Sequence, residues 1–472
     1  MKIALVHYHL RRGGVTSVIM NQARALAQAG ADLLIIAGEA PAAAIDFPFA
    51  LVENLGYDQP HVNLAAADKE AGAQKLAQDV LSVMDARWGA AADIVHVHNP
   101  LIQKNSLLIP ALEILGGGGV RLLLQNHDLA EDFRPDVYSA GVEYPKDCHY
   151  AVINSRDYDC LNRAGLKTEG LHLIPNEVSG MTATPGFKRS RYLYPVRAIR
   201  RKNIGEALLL SLFIPKDCTV AITLPPSAKD SKKYEFWTAF SKSQNLPMEF
   251  AIGEKMSLAD LLGSAVSALS TSVKEGFGFS FLEPWTAGIG LVGRRIDYVC
   301  SDFENSGVRF DNLYNSLEIP KEFIDKSRLE QKMENTMQRI YEAFGSSMPS
   351  HIKQALEEDF VKSNTVDFGR LDEELQEAVI RKLRETPQEK CKLVDLNPIL
   401  EKIGGLKDNA GLIAANRLAI EKNYGRQSSL ELLLKIYNDV IRNPVIHKIS
   451  KTALLDLYLD PKRLSLVGIS DG

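Results

Sequence analysis

Two segments set carboxylates, glycines and cations directly after strand-like runs, where α/β proteins carry their ligand loops. The first, Glu275-Gly276-Phe277-Gly278-Phe279-Ser280-Phe281-Leu282-Glu283-Pro284, follows Val266–Ser270 and precedes a helix-like stretch. Glycines at 276 and 278 let the backbone approach a ligand, a helix N-terminus offers free N–H groups, and the carboxylates of Glu275 and Glu283 can accept hydrogen bonds from hydroxyls. Read alone, the string serves equally well as a tight turn with Glu275 as a solvated cap. The second, Arg197-Ala198-Ile199-Arg200-Arg201-Lys202-Asn203, follows Tyr192–Val196 and opens the next helix. Cations at a helix start oppose its dipole at a cost of a few tenths to about 1 kcal/mol, which a bound anion would offset. A solvated basic loop is the competing explanation. A third segment, Gln125-Asn126-His127-Asp128, ends a strand, with Arg134 six residues on. His127 can hydrogen-bond there, although a lone histidine is more often a satisfied structural group.

The elements that must position these residues alternate. Residues 1–6 read as a buried strand, Gly13-Gly14 as a loop, and Val18, Ile19, Ala23, Leu26 and Ala27 fall at helical spacing. Strands are predicted at Asp32–Ala37, Asp93–His98, Arg121–Gln125 and Tyr150–Asn154, with helices near Lys69–Met84 and Leu107–Leu115. The pattern lapses into the polar stretch Thr184-Pro185-Gly186-Phe187-Lys188-Arg189-Ser190 and then resumes with strands at Thr219–Leu224 and Glu249–Ile252 and helices from Asn203, near Tyr234–Ser243 and from Ser257. The expected fold is α/β, with two Rossmann-like doubly wound domains. The first spans residues 1–184, with helices from about 425–472 crossing back to it. The second spans 185–424 and includes a charged helical appendage at about 325–400. No repeat of solenoid length is present.

Composition narrows the class. A net charge of −4 on 472 residues, with no long Lys/Arg block, argues against nucleic acid as a partner. Five scattered cysteines lack the short spacings of a zinc site or redox pair. The opening apolar run is too short for a signal peptide and no run reaches the length of a transmembrane helix, so a cytoplasmic setting is expected.

Five elements then occur in one order: Gly13-Gly14, His127-Asp128, Ile174-Pro175-Asn176, the Arg197/Lys202 pair, and Glu275 with Glu283 after seven intervening residues. Over residues 1–295 the chain resembles glycosyltransferase family four, and Asn416–Arg442 is similar to that family's C-terminal helices. The resemblance implies a retaining enzyme with two facing Rossmann-like domains, the GT-B type. Its partners would be a nucleotide-sugar donor and a carbohydrate or small-molecule acceptor, with no metal or other cofactor; a homo-oligomer stays open. Arg197 and Lys202 would bind the donor diphosphate together with the amides around Gly13 and Gly14. Glu275 would hold the donor sugar, Glu283 the ribose, and His127 the donor sugar or reaction centre. Gly276, Phe277, Gly278 and Asn176 would line the donor site, with Asp128 and Arg134 on the acceptor side.

After Glu283 the chain departs from the family pattern, running Gly290-Leu291-Val292-Gly293-Arg294-Arg295-Ile296-Asp297 into the helical appendage. The stretch Arg294–Leu313 is similar to the branch acting on small sugar-glycerate acceptors. A nucleotide-sugar epimerase shares the architecture but not the Arg197/Lys202 and Glu275/Glu283 combination. Asp157-Tyr158-Asp159 could be offered as the metal motif of a single-domain transferase, but it stands at a helix start, where aspartate favours the dipole. A non-catalytic sugar-nucleotide-binding scaffold is the remaining alternative.

Overall fold

The computed structural model describes residues 1–41, 43–58, 66–227, 230–406 and 409–469. The chain forms two compact units, Met1–Glu177 with Asn423–Leu459, and Val178–Lys422 with the residues from Asp460.

The first unit is built on seven parallel strands: β1 Lys2–His7, β2 Asp32–Ala37, β3 Phe49–Leu51, β4 Ile94–His98, β5 Leu122–Asn126, β6 His149–Val152 and β7 Leu171–Leu173. Their order is β3-β2-β1-β4-β5-β6-β7. β1 is an interior strand, with Ile3 opposite Leu33 on one side and Ile94 on the other. Both faces of the sheet are covered, so its strands are nearly continuous apolar runs. One face meets Ile19, Ala23 and Leu26 of the helix Gly14–Gln28, and Leu433, Ile436, Tyr437 and Val440 of the helix Arg426–Arg442. The spacing of those last four is that of one helical face, and each such burial stabilises by about 1.5–3 kcal/mol. The helices Ala66–Trp88 and Leu108–Gly117 cover the other face.

The second unit has six parallel strands, β8 Arg191–Arg197, β9 Thr219–Leu224, β10 Met248–Glu249, β11 Ala265–Ser270, β12 Leu291–Arg294 and β13 Leu313–Tyr314, in the order β10-β9-β8-β11-β12-β13. The strand order reverses between β8 and β11, and such switch points open a crevice beyond the strand ends. β12 lies against β11 so closely at Gly293, φ 141°, that an added Cβ would stand 1.9 Å from the Ser270 carbonyl oxygen.

Several expectations are corrected. The division falls after Glu177 rather than at residue 184, because the segment before Thr184 is already bonded to the second unit: Met181 N–H donates to Thr286 Oγ1 (2.9 Å) and Thr184 N–H to the Ala259 carbonyl (2.9 Å). The tail from Asp460 joins the second unit, since Leu466 N–H donates to the Arg370 carbonyl and Ser465 Oγ to that of Gly369. The appendage is not purely helical. β14 Glu318–Pro320 pairs antiparallel with β15 Thr365–Asp367 beside the helices Lys326–Ala343, Ser350–Lys362, Glu373–Glu385 and Pro387–Leu396.

A buried charged web ties that hairpin to the main sheet. Arg294, at the end of β12, donates to Glu206 at 2.6 Å and 2.9 Å and to Asp367 of β15 at 2.7 Å, while the Tyr314 hydroxyl of β13 donates to Glu206 at 2.7 Å. Arg294 and Glu206 are 4% and 0% exposed, so each needs the other to remain charged inside the fold. Arg294→Met strands the buried Glu206 and the half-buried Asp367 and is expected to lower stability by about 3–5 kcal/mol in urea unfolding. A loss below about 1 kcal/mol, the size of an exposed pair, would assign the web no structural role.

Candidate active site

The loop after β8 begins with a local break. Register with β9 slips between Tyr194 and Arg197, at Pro195, which has no ladder N–H to give. Bulges of this kind re-aim the next side chain. Arg197 is exposed, Nη1 donating to the Pro225 carbonyl at 3.1 Å, and among the described residues it has no carboxylate partner. Arg200–Lys202 form a single 3-10 turn, Asn203 takes the left-handed conformation (φ 51°, ψ 58°), and the helix starts only at Ile204. The cations therefore precede the helix instead of crowding its first turn, which holds Glu206, a residue that suits the dipole.

These cations separate by partner. Arg200 turns to Glu373 (2.7 and 3.0 Å), whereas Lys202 Nζ forms an ion pair with Glu275. The Lys202 carbonyl accepts from the Tyr194 hydroxyl (2.9 Å) and Thr271 Oγ1 (3.0 Å), and Val273 N–H donates to the Arg201 carbonyl (3.0 Å). The loops following β8 and β11, the two strands at the switch point, are thereby stitched together.

Glu275 sits in this seam. The Tyr298 hydroxyl donates to its carbonyl at 2.5 Å. Burial alone would raise its carboxyl pKa, but the charges of Lys202 and Arg201, with hydrogen bonds from Lys202 and Ser272, hold it below the ordinary range. Gly278 (φ 91°) precedes the helix Phe279–Thr286, and a Cβ there would press to 2.6 Å from Val299 Cγ1. The Phe277 ring is buried edge-on against Phe279 and Phe303, which leaves Gly276-Phe277-Gly278 to serve a ligand through backbone. Glu283 lies on that helix with no hydrogen bond or ion pair to its carboxylate among the described residues, and burial pushes it up to about 7.

In the first unit, Gly13 is extended and caps the helix opened by Gly14, where an added Cβ would meet nothing within 4 Å. The protein's own packing thus does not require glycine at 14. His127 follows β5 and is 6% exposed. Its backbone N–H and that of Asp128 both donate to Asn99 Oδ1 at 3.0 Å, and its Nε2 lies 3.1 Å from His98 Nδ1. Burial lowers the His127 pKa to about 4, so the imidazole is neutral at pH 7. Asp128 is paired with Arg134 at 2.6 Å. Asn176 is buried, and its Oδ1 has no hydrogen-bond partner among the described residues. Asp157 is engaged as a helix cap partner, its carboxylate bonded by Asn154, Arg156 and the Tyr458 hydroxyl, and so is fully occupied by structural donors.

Sequence reasoning missed Tyr194, Thr271, Tyr298, Asn203, Glu206 and Gln376, all of which hold the two loops of the second unit. Glu206 alone left a signal, as the single charge in the otherwise apolar helix Ile204–Leu210.

No protein-family model matches the chain. It is 28% identical over 457 residues to the mannosylglucosyl-3-phosphoglycerate synthase of Petrotoga mobilis, covering 84% of this chain and 83% of that protein. Among solved structures it is similar to HepE of Anabaena in complex with UDP and glucose (TM-score 0.54, 12% identity, 92% of this chain and 98% of that one). It is also similar to sucrose-phosphate synthase of Thermosynechococcus elongatus (0.51, 13%, 93% and 98%) and to a glycosyltransferase of Rickettsia africae (0.50, 13%, 94% and 99%). The chain shares their GT-B fold, with two Rossmann-like units each built on a parallel sheet.

Glu283 yields a test. Folding raises its pKa from the ordinary 4.5 to about 7, so the folded chain keeps a proton that the unfolded chain releases. Its contribution to stability is complete below pH 4.5 and declines as pH rises to 7. Glu283→Gln, which cannot ionise, should match the wild type near pH 4.5 and be the more stable of the two at pH 8, as read by thermal melts across that range. Parallel melting curves at all pH values would show that this carboxylate is solvated.

Proposed function

We propose that the chain is a retaining, metal-independent glycosyltransferase that moves a sugar from a nucleotide-diphosphate-sugar to a hydroxyl of a small sugar or sugar-glycerate acceptor. The observation that carries this reading is the Lys202–Glu275 ion pair on loops that follow the two strands of a switch point, with Arg197 at the end of one of them lacking a carboxylate partner among the described residues. The sugar-glycerate acceptor is supported by the 28% relative, whose name describes such a product.

In this reading Lys202 and Arg197 meet the donor diphosphate and balance the charge that grows on it as the bond from sugar C1 to phosphate oxygen breaks. The acceptor oxygen attacks C1 from the same face, and its proton passes to the leaving phosphate oxygen, so no protein base is needed. Glu275, kept ionised by Lys202 and Arg201, accepts from the donor sugar's hydroxyls. Glu283, with no partner to its carboxylate among the described residues, takes those of the ribose. Amides at Gly13, Gly14, Gly276 and Gly278 and the Asn176 side chain add polar contacts to the donor, neutral His127 faces the donor sugar, and the Asp128–Arg134 pair serves the acceptor.

The test is turnover with UDP-, GDP- and ADP-sugars and sugar-phosphoglycerate acceptors. Lys202→Ala should lower turnover of the folded protein roughly 100- to 1,000-fold, the effect of removing one preorganised donor at a developing anion. EDTA should leave turnover unchanged. Near-normal turnover in Lys202→Ala would remove the diphosphate role, and a loss to EDTA reversed by a divalent cation would replace the protein cations with a metal.

A further inference from the structure

We propose that the appendage after β13 belongs to the donor-loop machinery, and that Gln376 is its positioning residue, acting on Lys202 through Asn203. The inference rests on the reading of Lys202 as the diphosphate contact.

Asn203 is the residue that turns the chain from the cation loop into the helix Ile204–Leu210, in a left-handed conformation that asparagine tolerates at some cost in strain. Its amide is held on both sides. Gln376 Nε2 donates to Asn203 Oδ1 at 2.8 Å, and Asn203 Nδ2 donates to Glu206 at 2.7 Å. Gln376, Asn203 and Glu206 are 0%, 1% and 0% exposed, so water does not substitute for any of them. Gln376 also donates to the Phe368 carbonyl at 3.2 Å, which ties it to the segment following β15. It fits because residue 205 is glycine, where a Cβ would stand 2.1 Å from Gln376 Oε1.

The same appendage is tied to this loop by one further direct contact and one relayed through β12. Glu373, one turn before Gln376, holds Arg200, and Asp367 holds Arg294, which in turn holds Glu206. Directly or through Arg294, these contacts converge on residues 200–206, the segment whose Lys202 forms the ion pair with Glu275. An element that served only to thicken the unit would be expected to meet it through apolar contacts. Here the appendage meets the loop directly with a buried amide and a buried carboxylate, Gln376 and Glu373, and the half-buried Asp367 reaches it through Arg294, each contact directional. Misplacement of a charged group by about 1 Å can cost roughly 100-fold in rate, so a clamp on Asn203 has consequences at Lys202 Nζ.

The test is a double-mutant cycle on nucleotide-sugar turnover, with unfolding measured in parallel. Gln376→Met keeps length and removes the donor. In the wild-type background it should lower turnover roughly 10- to 100-fold. In the Lys202→Ala background it should change turnover less than about twofold, because the group it positions is gone. If Gln376→Met does not fold, Glu373→Gln, which loosens Arg200 while keeping shape, enters the same cycle with the same expected non-additivity. Equal losses in both backgrounds, following loss of folded protein, would reduce Gln376 to a structural contact and overturn the proposal while leaving the site reading intact. Absence of wild-type turnover with every donor would sink the site reading, and the proposal with it.

Discussion

A lysine and a glutamate, their side chains only 13% and 8% exposed, hold the two loops of the second unit together. Two carboxylates in one short segment show what that pair achieves. Half-buried Glu283, with no hydrogen bond or ion pair to its carboxylate among the described residues, is pushed up to about 7, whereas Glu275, more deeply buried, is held below the ordinary range by Lys202 and Arg201. Desolvation acts on both in the same direction, and at Glu275 it is reversed chiefly by the two cations, with a hydrogen bond from Ser272 adding to them. Loss of either member would leave an uncompensated charge inside the fold, so the loops are organised around the pair as firmly as around any apolar contact.

Such a pair can exist only where the backbone is rigid, and the sheet supplies the rigidity. β8 and β11 end side by side, the bulge at Pro195 re-aims Arg197, and hydrogen bonds from Tyr194 and Thr271 to one carbonyl fix Lys202. Beneath them Glu206 is shared among Asn203, Arg294 and Tyr314. A polar web of this kind is costly unless every member is satisfied, and here its geometry carries order from the hairpin of β14 and β15 to the loop that holds the cations.

Much of the architecture was legible because a strand buried on both faces is a continuous apolar run. β2 and β9 fall where periodicity puts them, and the ligand loops follow from being next in sequence. The three-residue strands β3 and β7 were missed: each is too short to establish a period, and β7 contains His172. The candidate site was legible in part for the same reason. Arg197 ends a strand, Lys202 and Glu275 stand in the loops that follow strands and Glu283 in the helix after one of those loops, whereas residues that position them are distant in sequence. Gln376 lies 173 residues from Asn203, and Asp367 lies 73 from Arg294. Their pairing depends on how the appendage folds, and neither period nor spacing carries that information. Arg200 was read with its neighbours as one anion site, but Glu373 takes it out of that set.

The most direct measurement is calorimetric titration of the folded protein with UDP, GDP and ADP at pH 8, where Glu283 is ionised. One nucleoside diphosphate should bind at a single site. Arg197→Ala combined with Lys202→Ala should weaken it roughly 100-fold or more, since each charge-assisted hydrogen bond contributes about 1.5–3 kcal/mol. Equal affinity in the wild type and the double variant, with both folded, would contradict the assignment of the diphosphate to these two cations.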